Sequence, residues 1–363
     1  VDAFAKYILE LSLDEEKRRT FAENLREKAS RLYSLDNMAA TQSRIYRDIL
    51  HLRSLPRRQE VLICGAYGKG NSGDEAILRA IIGSMRSIDP CIPLTVMTRK
   101  PQETRLLYGV RAIYTFNVPR FLRAVRRTQL FINGGGSLIQ DSTSSRSLYY
   151  YLFTIWAARH GGARVLMYGC GIGHVARPFN RRLAKKVLDK NADVITLRDT
   201  ISRRELSEMG ITHPQVRSAA DPALSLSPAP DEDACQYLRQ HGLDPEGRYI
   251  CFSVRPWKDF DRFEAFSQAA DYAREKYGLE TVFMPIEDPT DVEPSRRAAA
   301  GMKHESHLLP APDRVELTMA VLRRMKLMCA MRLHALVFSA AADTPFLAVS
   351  YDIKVKSFMD YVE

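Results

Sequence analysis

Missing from this sequence are the features that would send it into a membrane, onto a metal or into an oxidising compartment. No uninterrupted apolar run approaches the ~18 residues that a membrane-spanning helix needs. No signal-peptide pattern is visible from Val1 onward. The six cysteines (Cys64, Cys91, Cys170, Cys235, Cys251, Cys329) are scattered, with no CxxC pair. Several sit in apolar strand-like runs, where a reduced thiol behaves as a small hydrophobe, so structural thiols in a cytoplasmic setting are expected. Nothing reads as a set of metal ligands, and no metal is expected. The basic residues form no single block and no aromatic-interleaved RNA motif appears, which argues against nucleic acid. The formal charge of +10 still calls for an anionic partner, such as a phosphorylated metabolite or a lipid headgroup.

What is present divides in two. Residues 1 to about 55 read as helices alone. Ala3, Phe4, Tyr7, Ile8 and Leu11 make one apolar stripe, and Phe21, Leu25 and Leu32 continue it. Asp14 and Asp36 are placed to cap helices, and Pro56 ends the pattern. From residue 60, apolar runs alternate with amphipathic stretches. Strands are expected at 61–64, 94–98, 130–133, 164–169 and 193–197, and a second set at 249–254, 281–286, 326–331 and 346–351. Helices fit between them, for instance at 74–86, 119–127, 147–159 and 178–190. Such alternation predicts parallel sheets covered on both faces. With SLSPAPDED (225–233) as a linker, the expectation is an α/β protein. Two Rossmann-like domains, 59–224 and 225–363, would face each other across a cleft behind a helical segment, 1–58.

GAYGKGNSGDEAIL (65–78) carries the glycine spacing of a dinucleotide turn. Its helix, however, opens with Asp74 and Glu75, which would repel a pyrophosphate. The next strand ends in Arg99 and Lys100 instead of the acid that holds a ribose. A nicotinamide dehydrogenase is therefore the weakest reading. The alternatives are two acids steadying the helix N-terminus, or a carboxylate aimed by the turn at an alcohol. Asp74 is assigned to function, Glu75 equally to either. A second loop, NGGGSLIQD (133–141), leaves room for a ligand against backbone N–H groups, and the STSSRS stretch after it adds hydroxyls and Arg146.

Cations gather where ligands of parallel sheets bind, at the carboxyl ends of strands. Arg198 follows DVITL, Arg255 follows YICFSV, and Arg332 and His334 follow KLMCAM, with Lys354 just beyond FLAVSY. Each alone has an ordinary explanation, an ion pair such as Arg198 with Asp199. Together they point to a small, multiply charged anion.

In order along residues 61 to 356, GKGNSGDEAIL, INGGGSLIQDSTSSRSLYYYL, GCGIG, ITLRDTISRREL, AADPAL, FSVRPW, MRLHALVFSA and SYDIKV resemble the polysaccharide pyruvyl transferase family, its CsaB-like branch. The resemblance implies a GT-B-like fold and transfer of the pyruvyl group of phosphoenolpyruvate to a sugar as a cyclic ketal. The acceptor it implies is N-acetylmannosamine in a secondary cell-wall polysaccharide precursor, a step in S-layer anchoring. That glycan would be lipid-linked or free, and the protein peripheral at the cytoplasmic membrane face. Phosphoenolpyruvate would be a co-substrate, and no cofactor is implied. By the family motifs His334 is the general acid, and Arg198, Arg332, Lys354 and Arg255 hold the donor. Asp74 is the base or acceptor anchor, and Asn71, Ser72, Gly135, Gly136 and Arg146 are expected on the acceptor side. His174 departs from the proline common at its position. No helix crossing back to the first domain is visible after the last motif. Residues 1–50 resemble the C-terminal helices of family-4 GT-B glycosyltransferases. The rival readings are a nucleotide-sugar glycosyltransferase and a silent glycan-binding module.

Overall fold

The computed structural model describes residues 14–17, 19, 20, 23, 59–142, 144–257, 262–287 and 289–362. The chain divides into two compact units, Val1–Pro56 and Arg57–Glu363. In the first, Asp14 caps a helical turn, its Oδ1 accepting from the backbone N–H of Lys17 at 2.9 Å. Asp36, the apolar stripe and the break at Pro56 lie outside the described residues.

The second unit holds two wholly parallel sheets. The first runs β1 (Glu60–Cys64), β2 (Leu94–Thr98), β3 (Arg111–Tyr114), β4 (Thr128–Gly134), β5 (Arg164–Cys170), β6 (Val194–Leu197) and β7 (Gln215–Ser218). Their spatial order is β3-β2-β1-β4-β5-β6-β7. The crossovers are α1 (Ser72–Ile88), α2 (Pro101–Tyr108), α3 (Val118–Val125), α4 (Ser145–His160), α5 (Pro178–Asn191) and α6 (Thr200–Met209). A 3₁₀ turn, Pro222–Ser225, and α7 (Asp231–Gln240) lead to the second sheet. It comprises β8 (Tyr249–Ser253), β9 (Glu280–Phe283), β10 (Ser306–Leu308), β11 (Leu327–Ala330) and β12 (Phe346–Ala348), ordered β10-β9-β8-β11-β12. Its helices are α8 (Phe263–Tyr277), α9 (Val292–Ala300), α10 (Val315–Arg323), α11 (Leu333–Ala341) and α12 (Ile353–Val362).

The central strands are apolar because helices cover both faces; EVLIC of β1 and YICFS of β8 are buried at every position. β3, β7 and β10 escape the sequence reading for the converse reason. As edge strands such as RAIY and QVRS, they are short and largely solvent-facing, with no continuous apolar run. The closing helix that the sequence did not reveal does form as α12. Its Lys354 and Phe358 share a recess with Arg198 and Asp199, which follow β6.

In each sheet the order in which strands are added reverses beside its central strand, between β1 and β4 and between β8 and β11. Ligands of such sheets bind in the crevice at that switch. The two halves are fastened together near these points. Ala76 of α1 is buried in one core with Ala223 of the 3₁₀ turn and Val337 of α11, and Arg79 of α1 pairs with Glu316 of α10. Among the described residues no helix is long and apolar enough to cross a membrane.

Candidate active site

The loop after β1 turns on Gly68 and Gly70, whose φ of 74° and 82° suits glycine. Asn71 then caps α1, its Oδ1 accepting from the backbone N–H groups of Gly73 at 3.0 Å and Asp74 at 3.2 Å. Glu75 reaches back to accept the Gly68 N–H at 2.6 Å. A carboxylate thus takes a loop N–H group that a dinucleotide's pyrophosphate would use, which counts against the nicotinamide reading. The glycine loop after β4 is tied to the same place: Tyr67 donates from its hydroxyl to the Gly134 carbonyl at 2.9 Å.

Gly73 brings the two switch points together. A Cβ there would lie 1.9 Å from His334 Nδ1, so the imidazole rests directly against the α1 backbone. Asp74 follows, its Oδ1 3.1 Å from where a Cβ on Gly136 would stand. Arg198 flanks the group, its Nε 3.5 Å from the corresponding position of Gly171. Three glycines therefore let Asp74, His334 and Arg198 crowd against backbone. A small recess of about 20 Å³, room for one water, lies among Arg198, Asp221, Leu333 and Lys354.

Every arginine here has a partner. Arg198 and Asp221 form an ion pair between buried side chains. Asp221 also caps the 3₁₀ turn by accepting from Ala223 N–H at 3.0 Å, while Asp199 caps α6 and accepts from Ser202 N–H. Arg332 is gripped on two sides. Its Nε and Nη2 donate to the fully buried Asp291, at 2.8 Å from Nε, and its Nη1 pairs with Glu287. Arg255 donates to the Tyr351 hydroxyl at 3.1 Å, with its guanidinium 5.2 Å from the Trp257 ring centre. The loop carrying Glu287 also meets α1, because Ser72 Oγ donates to the Ile286 carbonyl at 2.8 Å.

Desolvation sets the proton balance. Asp74 is recessed, which pushes its carboxyl up to about 7; Arg198 and Lys69 oppose the rise, while Glu75 and Glu287 add to it. Burial moves His334 the other way, down to about 4, with Arg198, Arg332 and Lys354 reinforcing the shift and Asp221 resisting it. Its Nε2 is buried with no hydrogen-bond partner among the described residues. Near neutral pH the imidazole is an uncharged acceptor, and the carboxyl is drawn toward its protonated form. Lys354, solvent-accessible at the mouth, is held below the usual lysine range by desolvation and by Arg198 and Arg255, against Asp352 and Asp74.

The structure thus gathers Asp74, His334, Arg198 and Lys354, with Gly136 against Asp74. Gly135 turns beside it at φ 66°, its N–H donating to the Tyr168 carbonyl. The side chains of Asn71 and Ser72, expected to meet an acceptor, are engaged within the protein as a cap and a cross-link. Arg332, expected to hold the donor, carries two carboxylates. Arg146 is exposed in the first turn of α4. His174 pairs with Glu205 at 3.2 Å. His304 and His307 do stand three residues apart, a spacing that the sequence reading passed over, but they face Glu275 and Glu280 respectively. Asp221, Glu287, Asp291 and Tyr351 were not foreseen. Asp221 and Tyr351 do fall inside the quoted stretches AADPAL and SYDIKV, but no spacing in the sequence ties them to Arg198 or Arg255.

With this geometry in place, residues 71–353 match the profile of the polysaccharide pyruvyl transferases. The chain belongs to that family. No curated protein matches the sequence. Solved structures resemble this transferase in fold. The UDP-GlcNAc 2-epimerase of Neisseria meningitidis bound to UDP-GlcNAc aligns over 83% of this chain and 85% of its own, at TM-score 0.55 and 11% identity. The Methanocaldococcus jannaschii UDP-GlcNAc 2-epimerase aligns over 81% and 84%, at 0.56 and 10%. Anabaena HepE in complex with UDP-glucose aligns over 80% of each chain, at 0.54 and 10%. At such identities the likeness is one of architecture: two Rossmann-like domains in the GT-B manner.

Proposed function

We propose that this pyruvyl transferase takes its pyruvyl group from phosphoenolpyruvate and places it across two hydroxyls of a sugar. The acceptor we favour is N-acetylmannosamine in a cell-wall polysaccharide precursor. The observation that carries the reading is the meeting of Asp74 and His334 at the joined switch points, with Arg198 and Lys354 beside them. The donor is an enol phosphate with a carboxylate, and both anionic groups suit guanidinium and ammonium partners.

The family motifs give His334 the acid's part and Asp74 the base's; the electrostatics support the exchange of these roles. Protonated Asp74 delivers its proton to the methylene carbon of the donor, leaving the adjacent carbon electrophilic. Neutral His334 takes the proton of the first hydroxyl as its oxygen bonds to that carbon. The bond from that carbon to the phosphate oxygen then breaks, the second hydroxyl closes the ketal as its proton leaves with inorganic phosphate, and the proton taken up by His334 restores Asp74. Arg198 and Lys354 stabilise the departing charge.

The test follows phosphate release from phosphoenolpyruvate with an N-acetylmannosaminyl acceptor, together with calorimetric titration of the donor. His334→Ala should cut turnover by ~10² to 10⁴ while the donor still binds. Unchanged turnover would remove His334 from the chemistry. Saturable binding of UDP-N-acetylglucosamine without phosphoenolpyruvate binding would turn the reading to a glycosyltransferase.

A further inference from the structure

The layer of the first domain built by α3, α4 and α5 carries a surface that this chemistry does not use. We propose that it docks on an anionic lipid bilayer. The inference is independent of the reaction assigned to the cleft.

The three helices hold nine Lys and Arg residues and a single carboxylate, Asp189. That one acid is engaged, accepting the backbone N–H groups of Thr212 and His213 at 2.7 and 2.9 Å. Between α4 and α5 runs a groove of about 670 Å³, lined by Leu152, Phe153 and Leu183 and rimmed by Arg159, Lys186 and Lys190. Around it the large apolar side chains stand in solvent: Tyr149 is 40% exposed, Trp156 45% and Phe179 69%. The adjoining α3 leaves Val118 and Leu122 similarly bare. It packs on α4 through Phe121 and Phe153, whose rings lie 6.0 Å apart. On its other side, a second groove of about 510 Å³ gathers Arg120, Arg123, Arg126 and Arg127 beside Arg111, which pairs with Glu60 at 3.3 Å.

Exposed apolar side chains scattered singly are ordinary, but here they share one layer with an excess of cations that remains after Arg159 and Arg181 are set against Asp193 and Glu205 from neighbouring elements. That is the composition of a surface lying in the headgroup region, with aromatic and aliphatic groups entering the acyl boundary and Lys and Arg meeting anionic lipid. A rigid polyanion such as nucleic acid would satisfy the cations and leave Phe179, Trp156 and Leu122 in water. A bilayer covers both.

The experiment is co-sedimentation of the full chain with vesicles of phosphatidylcholine, with or without phosphatidylglycerol. Emission of Trp156 is followed in a Trp257→Phe background, since the sequence has two tryptophans. Binding is expected only with the anionic lipid, with a blue shift of Trp156, and should be lost in ~1 M salt, where screening acts within ~3 Å. Each cation near a membrane contributes ~1 kcal/mol, so Lys186→Glu with Lys190→Glu should weaken binding by roughly 30-fold or more. Trp156→Ser, which leaves the charge alone, should weaken it as well. Equal sedimentation with neutral vesicles would overturn the proposal, as would binding untouched by either variant. Retention on heparin without vesicle binding would assign the face to a polyanion instead, and overturn it equally.

Discussion

Replacing Asp74 with Asn should stabilise the protein, and by more as the pH rises. In the fold the carboxyl of Asp74 titrates at about 7, against 3.8 for the same group in ordinary surroundings. Between those values the unfolded chain has released a proton that the folded chain still holds. Wild type therefore has its full share of stability below pH ~4 and loses it as the pH climbs through ~7. The interval corresponds to a ceiling of about 4 kcal/mol, which residual water at the carboxylate lowers to about 2 to 4 kcal/mol. Asparagine keeps the shape and carries no charge to desolvate. Guanidinium unfolding of both proteins at pH ~4.5, ~6 and ~8 should show a gap that is small in acid, widens through the middle value and levels off above ~7. A gap that is constant with pH, or a variant less stable than wild type at pH ~8, would refute the claim that Asp74 is held desolvated. His334 supplies the mirror image. Its titration falls from 6.5 to about 4, so its share of stability is intact above ~6.5 and drains away as the pH drops toward ~4. Stability given up at a site in this way is characteristic of residues kept for function.

Three further substitutions separate positioning from packing. Gly73→Ala places a methyl group 1.9 Å from His334 Nδ1, so the ring must move. Turnover should fall ~100-fold while circular dichroism and the unfolding midpoint stay near wild type, and retained turnover would show that the contact is idle. Asp221→Ala strands Arg198 without its buried partner, and a loss of about 3 to 5 kcal/mol is expected in denaturant unfolding. A loss under about 1 kcal/mol would mean that water replaces the carboxylate. Glu287→Gln frees one edge of Arg332; calorimetry should find phosphoenolpyruvate bound about fivefold tighter, the equivalent of ~1 kcal/mol for a partly exposed ion pair. Weaker binding would show that Glu287 supports the anion site and does not compete for it.

Much of this arrangement was legible because parallel α/β sheets write themselves plainly. VLIC and YICFSV read as strands since both faces of their sheets are covered, and the residues just beyond them sit at the ligand edge by geometry alone. That logic found Arg198, His334 and Lys354. It could not find Asp221, Glu287 or Asp291, since an ion pair between distant segments leaves no spacing to read. Nor could it tell that Asn71 would turn its amide onto α1. The Asn–Ser–Gly–Asp run that suggested an acceptor contact is also a helix N-cap with a glycine at the one point where His334 must pass. Such polar residues at a loop–helix junction satisfy local backbone first, and only the fold shows what capacity remains.

The pairing of the arginines bears directly on how an anion enters. Arg198 faces Asp221, and Arg332 faces Asp291 and Glu287, so the charge of both is already balanced before any ligand arrives, while Arg255 meets only the hydroxyl of Tyr351. Asp221 and Asp291 are buried, and removing either partner of such a pair is costly, so these two act as fixed supports that aim their arginines. Glu287 is different: it is partly exposed and sits on a loop whose neighbouring carbonyl, at Ile286, is tied to Ser72. A carboxylate arriving from a substrate can take its place on Arg332 without exposing an unpaired buried charge. The exchange would pull on the hydrogen bond to Ser72, at the first turn of the helix that carries Asp74. On the proposed chemistry, an anionic group of the donor that reaches Arg332 would in this way be coupled to the helix bearing Asp74 before any bond is made.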